Sequence, residues 1–583
     1  MNRSKISHSM KQHQNSIYTA SAYALLLLFK CLLFIYLINP ELIDFPKDLL
    51  APYNIRILLI NFFFCGIIVG FVFLVSNKGW TILVAILLDI WLIGNLLYFR
   101  SYHDLLNSWS LINISNMNGI WNSILPFIAW QDILFPLTTA LWIIVLIMIK
   151  KQFSTSLRSG KLFITSLLIA SIGFIPTAYM SYRVGQPINP FSHYFQEAST
   201  GRIWYATTFS PIAHFINESK NLAIQLVSEP EVPHINPHDV APFLNMGDQP
   251  TSSQANLVII FFESFESWII NQQIDGQEIT PNINRLIQEE STAYFPNVVP
   301  QIRNGMSSDA QLIVNTGLLP ICDGAVSMRF YANRFPSIAD ALQSNSRKIF
   351  IPTPASAWNQ GQMTQALHYT SLFAEPISDF TMMRKVAHEM QTTHSPFCFF
   401  VTTMASHSPF TEYSDSSNLK IASKLPSDLS NYIKSVNYTD QCIGYLVNQL
   451  FADSLLKKNT TIVITGDHTI FHQEKRTNYI DLLQKQSIPI NQQACVPLLI
   501  YSADKITPTT CLDTIYQMDI YPTLLNVMHC ENYVWKGFGI NVFDETLKER
   551  PISPEKANEL SDKLIRSNYF NGLHDGVPCK VAR

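Results

Sequence analysis

Charged residues are scarce in this chain. Asp, Glu, Lys and Arg make up 14% of its 583 residues, whereas hydrophobic residues make up 48%; an average soluble domain is about 25% charged. The formal net charge is only -3, and no cluster of Lys and Arg forms the basic patch that nucleic-acid-binding domains carry. The composition therefore predicts a membrane protein and gives no indication of a nucleic-acid partner.

Paired cysteines, internal repeats and low-complexity tracts are also missing. The nine cysteines are scattered without any CxxC pair, so neither a zinc ribbon nor a dense disulfide framework is indicated. Cys31 and Cys65 fall within apolar runs, which leaves seven cysteines in the rest of the chain. One or two disulfides remain open, and the spacing assigns no pairing.

Five long apolar runs occupy the first third of the chain. They lie at about 18–39, 56–76, 80–98, 131–149 and 162–181. Each approaches the roughly 20 residues that cross a bilayer as a helix. The first run is too long for a cleaved signal peptide and is followed by further runs. We therefore expect residues 1–182 to form a domain of five transmembrane helices.

Basic residues flank these runs unevenly. Eight fall on one side, namely Arg3, Lys5, Lys11, Lys78, Lys150, Lys151, Arg158 and Lys161. Only Lys47, Arg56 and Arg100 fall on the other side. The positive-inside rule then places the N-terminus in the cytoplasm and everything after the fifth span outside. Lys30 and Asp89 lie within or near spans, where isolated charges more often pack between helices than move a substrate.

The composition changes twice after the spans. Residues 183–250 are polar and Pro-rich, which is typical of a juxtamembrane connector with short helices. Residues 251–550 alternate apolar strand-like runs with helical stretches, a pattern that predicts an α/β domain with a mainly parallel sheet covered by helices. We expect residues 551–583 to form a C-terminal tail.

Polar side chains follow two of these predicted strands. Glu263 closes the run 256–262, and Asp467 and His468 follow the run 460–465. Because the carboxyl ends of parallel strands meet at one edge of a sheet, these side chains are expected to lie together. Ser307 lies at the start of a predicted helix between the two strands, where free backbone N–H groups favour a phosphate or sulfate.

This set of side chains is suited to a divalent cation and a nucleophile. Carboxylates suit Mg²⁺ and Mn²⁺, and imidazole also suits Mn²⁺ and Zn²⁺. A hydroxyl beside such a cation loses its proton more readily. Each piece alone has an ordinary structural interpretation, because a Ser-Ser-Asp sequence is a common N-cap and Gly-Asp-His can be a turn. Their joint occurrence favours an active site.

The motifs resemble those of a known family. The lipoteichoic acid synthases and related phosphoglycerol transferases of the alkaline phosphatase and sulfatase superfamily have motifs similar to Asn256 to Ser267, Gly305 to Ala310, Thr465 to His468, Thr280 to Leu286 and Asp519 to Leu525. Five spans before an exported catalytic domain are also this family's layout. The resemblance implies a bacterial plasma (inner) membrane enzyme with one divalent metal ion, for which Mn²⁺ is the first candidate and Mg²⁺ or Zn²⁺ are alternatives.

The resemblance also implies roles for individual residues. The metal would be held by four residues, namely Glu263, Ser307, Asp467 and His468. Ser307 would also be the nucleophile. The family normally has Thr at this position, often after Lys, whereas this chain reads Met306-Ser307. Because Ser retains the hydroxyl, covalent catalysis is still expected.

Four further residues match or neighbour substrate positions of the family. His407 follows the predicted strand 397–403 and would hydrogen-bond the phosphate or act as general acid. Trp358 and Asn359 match a pair in the headgroup pocket, although Gln360 follows where the family has Arg. His472 is a weaker candidate for the pocket rim.

The predicted function is the transfer of a phosphorylated headgroup. Phosphoglycerol would pass from a phospholipid donor in the bilayer, through a covalent Ser307 intermediate, to an extracytoplasmic hydroxyl acceptor. A phosphoethanolamine transferase, or a phosphodiester or sulfate ester hydrolase of the same superfamily, is the nearer alternative. A non-catalytic membrane scaffold is the more distant one. Sulfatases that make formylglycine are disfavoured, because Ser307 lacks their downstream Pro and Arg.

Overall fold

The structure is a computed structural model, and the chain separates into two compact units that meet in the sequence near residue 230. It describes residues 3–39, 52–75, 78–102, 104–108, 110, 127–148, 160–183, 199–227, 232–245, 255–322, 324–393, 396–470, 473–490, 493–503, 505–544 and 550–571.

All the secondary-structure elements described in the first unit are helices. Its α-helices are α1 (Arg3–Ile38), α2 (Pro52–Val75), α3 (Lys78–Tyr102), α4 (Leu134–Met148), α5 (Gly160–Arg183), α6 (Ser199–Thr208) and α7 (Pro211–Val227). The predicted connector therefore contributes two helices, α6 and α7, to this unit.

Four helices of this unit are long and apolar enough to cross a membrane. The candidate spans are Tyr18–Ile38, Asn54–Val72, Gly79–Arg100 and Trp130–Met148, which contain 19 to 22 residues each. The predicted fifth span, at 162–181, lies in helix α5, where Ser171, Gly173 and Pro176 interrupt the apolar run. It is not among the spans found in the described residues. The predicted count of five is therefore corrected to four.

A buried charge pair lies inside the membrane unit. Lys30 of α1 contacts Asp89 of α3, and its Nζ also donates to the Phe135 carbonyl at 2.7 Å and to Thr139 Oγ1 at 2.9 Å. Thr139 Oγ1 donates in turn to Asp89 Oδ2 at 2.5 Å. Lys30 is fully buried. The two charges therefore join α1, α3 and α4, as is typical of ionisable groups that pack between membrane helices.

The second unit is an α/β domain. Its strands are β1 (Asn256–Phe262), β2 (Gln273–Ile274), β3 (Gln277–Glu278), β4 (Thr292–Val299), β5 (Ser346–Ile351), β6 (Ser371–Ala374), β7 (Phe397–Thr402), β8 (Thr460–Gly466), β9 (Val496–Ser502), β10 (Thr509–Thr510) and β11 (Ile515–Tyr516). Its helices are α8 (Pro237–Val240), α9 (Pro281–Ile287), α10 (Ser307–Thr316), α11 (Val326–Arg329), α12 (Ile338–Leu342), α13 (Gln360–Ala366), α14 (Asp379–Thr392), α15 (Ser427–Ala452), α16 (Ser454–Asn459), α17 (Gln473–Gln484), α18 (Ile520–Val527) and α19 (Pro554–Arg566).

Nine strands form one mixed, mostly parallel sheet. The order is β10-β4-β9-β8-β1-β7-β5-β6, and β11 also pairs with β4. β1 is parallel to both β7 and β8, and β5 is parallel to β6 and β7. β9 is antiparallel to both of its neighbours, β8 and β4. The prediction of a mainly parallel sheet is thus confirmed.

Helices cover both faces of this sheet. Successive side chains of a strand point to opposite faces, and every residue of β1 is buried. Leu257, Ile259 and Phe261 join one hydrophobic core, whereas Val258 and Ile260 join the other. A strand buried on both faces needs a continuous apolar run, which is the pattern of 256–262.

The C-terminal helix α19 belongs to the first of these cores. Leu560, Leu564 and Ile565 pack within it, and Ser561 Oγ accepts a hydrogen bond from the Leu319 amide at 2.9 Å. The segment predicted as a tail therefore contributes a packed helix to the second unit.

Candidate active site

The sheet brings three polar loops to one edge. β1 and β8 are parallel neighbours in which Phe262 lies opposite Gly466. Glu263 and Asp467, the next residues, therefore leave the sheet side by side. β7 flanks β1 on its other side, and its C-terminal end leads into the loop that carries His407. The alignment of the strands thus explains why residues about 200 positions apart in the sequence converge.

Glu263, Asp467 and His468 form a group that can hold a metal ion. One ligand atom from each lies within 4.8 Å of the other two, and all three residues are buried. His468 Nε2 lies 3.6 Å from Glu263 Oε1 and 3.5 Å from Asp467 Oδ2. Asp467 Oδ2 is buried, and no described residue donates a hydrogen bond to it. A bound cation would satisfy this oxygen.

The electrostatics of the group also favour a cation. Burial is the largest effect on the Glu263 carboxyl, and together with the nearby charge of Asp467 it raises the pKa of that carboxyl well above its usual range. Two carboxylates buried this close disfavour each other's ionised form. A divalent cation offsets that repulsion, and the donor set of two carboxylates and one imidazole suits Mn²⁺ or Zn²⁺. The residues present therefore fit the predicted ion.

Ser307 lies beside this group at the first residue of α10. Its Oγ is 3.4 Å from Glu263 Oε2 and 3.3 Å from His468 Nε2. The structure thus brings together all four predicted metal ligands. The hydroxyl also lies at a helix N-terminus, where the positive end of the helix dipole favours an anion.

A strained turn presents this serine. Met306, which precedes it, has a φ of +46°, a conformation that is uncommon for residues other than glycine. Asp309 Oδ2 accepts hydrogen bonds from the Arg303 and Gly305 amides, both at 2.9 Å. A Cβ added to Gly305 would lie 2.1 Å from Asp309 Oδ1, so the turn can close only around glycine at this position.

Ser264 supports the ligands from within the β1 loop. Its Oγ donates to Glu263 Oε1 at 2.7 Å, and its amide donates to Asp467 Oδ1, also at 2.7 Å. Ser264 itself has a φ of +53°, a conformation that is uncommon for residues other than glycine. The sequence analysis assigned no role to this residue. A hydroxyl directly after a predicted carboxylate ligand was the signal that could have identified it.

The β7 loop holds Glu263 from the opposite side. Thr403 Oγ1 accepts from the Glu263 amide at 3.0 Å, and Ser406 Oγ donates to the Glu263 carbonyl at 2.5 Å. Asp379 fixes this loop, since its carboxylate accepts from the Met404 amide at 2.8 Å and from the Ala405 amide at 3.0 Å. These three supporting residues also went unassigned, because nothing in their local sequence indicates their distant partners.

His407 lies in the same loop. Its Nδ1 is 2.7 Å from the Ser408 carbonyl, and because a carbonyl only accepts, Nδ1 carries the proton and Nε2 is left as the acceptor of the neutral ring. Burial is the largest effect on His407 and lowers its pKa, and the ring also interacts electrostatically with His468 and Asp467. His407 is thus held neutral near the proposed metal ligands.

A buried ion pair fixes the segment after His468. Arg476 of α17 pairs with Glu266 of the β1 loop, and both side chains are almost fully buried. Glu266 Oε1 also accepts from the Ile470 amide at 3.0 Å. The sequence analysis did not identify this pair. His472 lies outside the described residues.

Trp358 and Asn359 form a turn linked to the nucleophile helix. Both have positive φ values, of 50° and 56°. Asn359 Nδ2 donates to the Ser327 carbonyl at 3.3 Å, and Ser327 Oγ donates to Ser308 Oγ at 3.1 Å. The structure therefore connects the predicted pocket residues to the first turn of α10 through Ser327.

Family models match both units of the chain. The lipoteichoic acid synthase N-terminal domain matches residues 1–184, and the sulfatase domain matches residues 255–530. Together they account for more than three quarters of the sequence.

Full-length relatives agree with this division. The lipoteichoic acid synthase of Staphylococcus saprophyticus is 22% identical over 527 residues, which are 84% of this chain and 78% of the relative. The lipoteichoic acid synthase of Staphylococcus aureus is 22% identical over 521 residues, which are 85% of this chain and 79% of the relative.

A solved structure shares the fold. The integral membrane protein lipooligosaccharide phosphoethanolamine transferase A of Neisseria meningitidis superposes with a TM-score of 0.57 at 13% identity, over 88% of this chain and 96% of that one. With its four apolar spans, its sulfatase-like α/β unit and these matches, the chain belongs to the lipoteichoic acid synthase family of the alkaline phosphatase and sulfatase superfamily and is a membrane-anchored phosphotransferase.

Proposed function

We propose that this protein transfers phosphoglycerol from a phospholipid to an extracytoplasmic hydroxyl acceptor through a phosphodiester on Ser307. One observation carries the proposal: Ser307 Oγ lies at a helix N-terminus within 3.4 Å of both Glu263 and His468. Nucleophile, anion site and candidate metal ligands therefore coincide. The resemblance to lipoteichoic acid synthases favours phosphoglycerol as the transferred group.

Glu263, Asp467 and His468 would hold one divalent cation, with Mn²⁺ as the first candidate, and Ser307 would complete its ligands. When bound, the cation lowers the pKa of a neighbouring hydroxyl and neutralises charge on a phosphate. Ser307 Oγ loses its proton and attacks phosphorus, the bond to the diacylglycerol oxygen breaks, and that oxygen gains a proton so that diacylglycerol leaves as the alcohol. The acceptor hydroxyl then attacks the phosphodiester and releases Ser307.

His407 has a defined part in the second step. Because Nδ1 donates to the Ser408 carbonyl, Nε2 of the neutral ring is free to accept the proton of the acceptor hydroxyl. The lowered pKa of His407 keeps this neutral form available at pH 7. This assignment makes His407 a base in the second step, which extends the general-acid role that the sequence predicts.

We propose that the protein lies in the plasma membrane of a bacterial cell, with the catalytic unit on the outer surface of that membrane. Donor lipid is then always within reach.

A phosphoethanolamine transferase is the second candidate, because the shared fold with the Neisseria protein extends over both units. The two functions differ in headgroup and not in the proposed nucleophile. Trp358 and Asn359 are proposed to line the headgroup pocket in either case.

Intact mass spectrometry tests the proposal. The full-length protein is reconstituted with Mn²⁺ and either phosphatidylglycerol or phosphatidylethanolamine, and its mass is compared with that of Ser307→Ala. A glycerophosphate adduct confined to proteins that retain Ser307 is expected, together with released diacylglycerol. Ser454→Ala, which alters an exposed serine, is the matched control. Full diacylglycerol release by Ser307→Ala would refute the scheme.

A further inference from the structure

Two glutamines pack against each other beside the nucleophile helix. Gln311 lies on α10 and Gln360 is the first residue of α13. Gln360 Nε2 donates to Gln311 Oε1 at 2.8 Å. The side chains are 3% and 8% exposed, so this amide pair is removed from bulk water.

One donor and one acceptor of the amide pair form no hydrogen bond with the described residues. Gln311 Nε2 and Gln360 Oε1 are both buried, and no described residue forms a hydrogen bond with either atom. Exchanging the nitrogen and oxygen of both amides leaves the same balance, because each amide carries one donor group and one acceptor. Buried polar atoms of this kind are rare unless something pairs with them.

The amide pair lies close to the proposed reaction centre along the helix. Gln311 is four residues after Ser307 and therefore on the same face of α10, with about 5–6 Å between their Cβ atoms. Gln360 directly follows Trp358 and Asn359, the turn that Ser327 links to the first turn of α10. One helical turn is comparable to the length of a three-carbon headgroup attached to phosphorus at Ser307.

We propose that Gln311 and Gln360 determine headgroup specificity by binding a hydroxyl group of the donor headgroup. A hydroxyl both donates and accepts, so it can donate to Gln360 Oε1 and accept from Gln311 Nε2. An ammonium group only donates and would leave Gln311 Nε2 unpaired. This inference rests on the proposed function and assigns the headgroup to the class of uncharged polyols, with glycerol as its simplest member.

Three donor lipids test the inference. The full-length protein is reconstituted with Mn²⁺ in phosphatidylcholine vesicles containing phosphatidylglycerol, phosphatidylethanolamine or phosphatidylpropanol, whose headgroup has no hydroxyl. Diacylglycerol release gives kcat/KM for each lipid. We expect phosphatidylglycerol to be preferred over phosphatidylpropanol by about tenfold or more, because a site built to bind a hydroxyl is left unpaired by the analogue.

The double variant Gln311→Met/Gln360→Met removes both amides without leaving one of them unpaired. The ratio of kcat/KM for phosphatidylglycerol to kcat/KM for phosphatidylpropanol is expected to fall to about 1. The value of kcat/KM for phosphatidylpropanol is expected to be retained. Gln365→Met, on the exposed side of the same helix α13, is the matched control and retains the preference.

Each remaining outcome has a defined meaning. Equal kcat/KM values for phosphatidylglycerol and phosphatidylpropanol in the unmodified protein, or a preference for phosphatidylethanolamine, overturn the inference and leave the phosphotransferase in place. No release from any lipid and no Ser307 adduct overturn the proposed function together with the inference. If the double variant does not fold, the unmodified protein is tested instead, by measuring how far glycerol phosphate and propyl phosphate each raise its Tm. A larger rise with glycerol phosphate supports the inference. Equal rises overturn it.

Discussion

At the scale of single residues, Ser264 supports both carboxylates of the proposed metal site. Its hydroxyl and its amide each bond a different carboxylate, Glu263 and Asp467. Such contacts orient metal ligands, and their loss typically weakens metal affinity about 10–100-fold. Both contacts come from one residue, so Ser264 links the two carboxylates to each other.

Ser264→Ala is expected to lose the hydroxyl contact and keep the amide contact. We predict that Mn²⁺ binds the variant about tenfold more weakly, as measured by isothermal titration of the full-length protein. Ser356→Ala, at an exposed turn, should bind as the unmodified protein does. An unchanged affinity in Ser264→Ala would show that Glu263 is oriented without its neighbour.

His407 predicts the pH dependence of transfer. A protonated His407 cannot accept a proton, so activity is lost as the pH falls through the pKa of this residue. Because burial lowers that pKa from its usual value of 6.5, the acidic limb of the rate at saturating Mn²⁺ should lie below pH 6.5.

His407→Gln tests the assignment. Removing a general base typically lowers the rate about 10²–10⁴-fold. We also expect the rate of the variant to lose its dependence on acidic pH, while its affinity for Mn²⁺ is retained. The pH profile of kcat for the variant is the measurement. A limb that persists unchanged would assign it to another group.

At the scale of elements, one carboxylate joins two helices of the catalytic unit. Asp440 of α15 accepts from the Asn282 amide at 3.0 Å and the Ile283 amide at 2.8 Å, and so caps α9. Burial raises the pKa of Asp440 to about 6. Gly444, one turn later on α15, lies so close to Asn282 that an added Cβ would be 2.3 Å from its side chain. The cap therefore depends on an unusually close approach of the two helices.

Asp440→Ala should lower the free energy of unfolding by about 2–4 kcal/mol, because two buried N–H groups lose their acceptor. Asp453→Ala removes an exposed cap from α16, where water can replace the carboxylate, and should cost about 1 kcal/mol. Denaturant unfolding of both variants measures the difference. Equal losses would mean that water reaches the start of α9.

Elements with a strong local pattern could be predicted from the sequence, and those without one could not. β1 was predicted at its observed bounds, since a seven-residue apolar run buried on both faces has no other good interpretation. β4 was not predicted, because Pro296 interrupts its apolar pattern and it pairs antiparallel with β9. Helix α19 was assigned to a tail, because its apolar residues are separated by charged ones that only the folded core distinguishes.

The candidate site follows the same rule. Glu263, Asp467 and His468 could be predicted because each directly follows a predictable strand. Thr403 and Asp379 could not, since their roles depend on contacts with residues 140 and about 25 positions away. The register of the folded sheet and its loops sets these contacts, and no local pattern encodes it.

At the scale of the whole molecule, the proposed function requires the catalytic unit to lie on the outer surface of the plasma membrane. Cys322 is an exposed free thiol in that unit. If the catalytic unit lies outside, a membrane-impermeant maleimide should label Cys322 in intact spheroplasts, and Cys322→Ser should lose that label. Labelling that requires lysed membranes would place the catalytic unit in the cytoplasm and contradict the proposed donor leaflet.

The buried Lys30 has a consequence for biogenesis. Helix α1 leaves the ribosome first, yet the groups that pair with Lys30 lie in α3 and α4. A lysine alone near the centre of a bilayer costs about 2.5–3.5 kcal/mol during insertion. The free energy of helix α1 in lipid is therefore higher until Asp89 and Thr139 have been synthesised. The order of translation delays completion of the anchor until shortly before the catalytic unit is made.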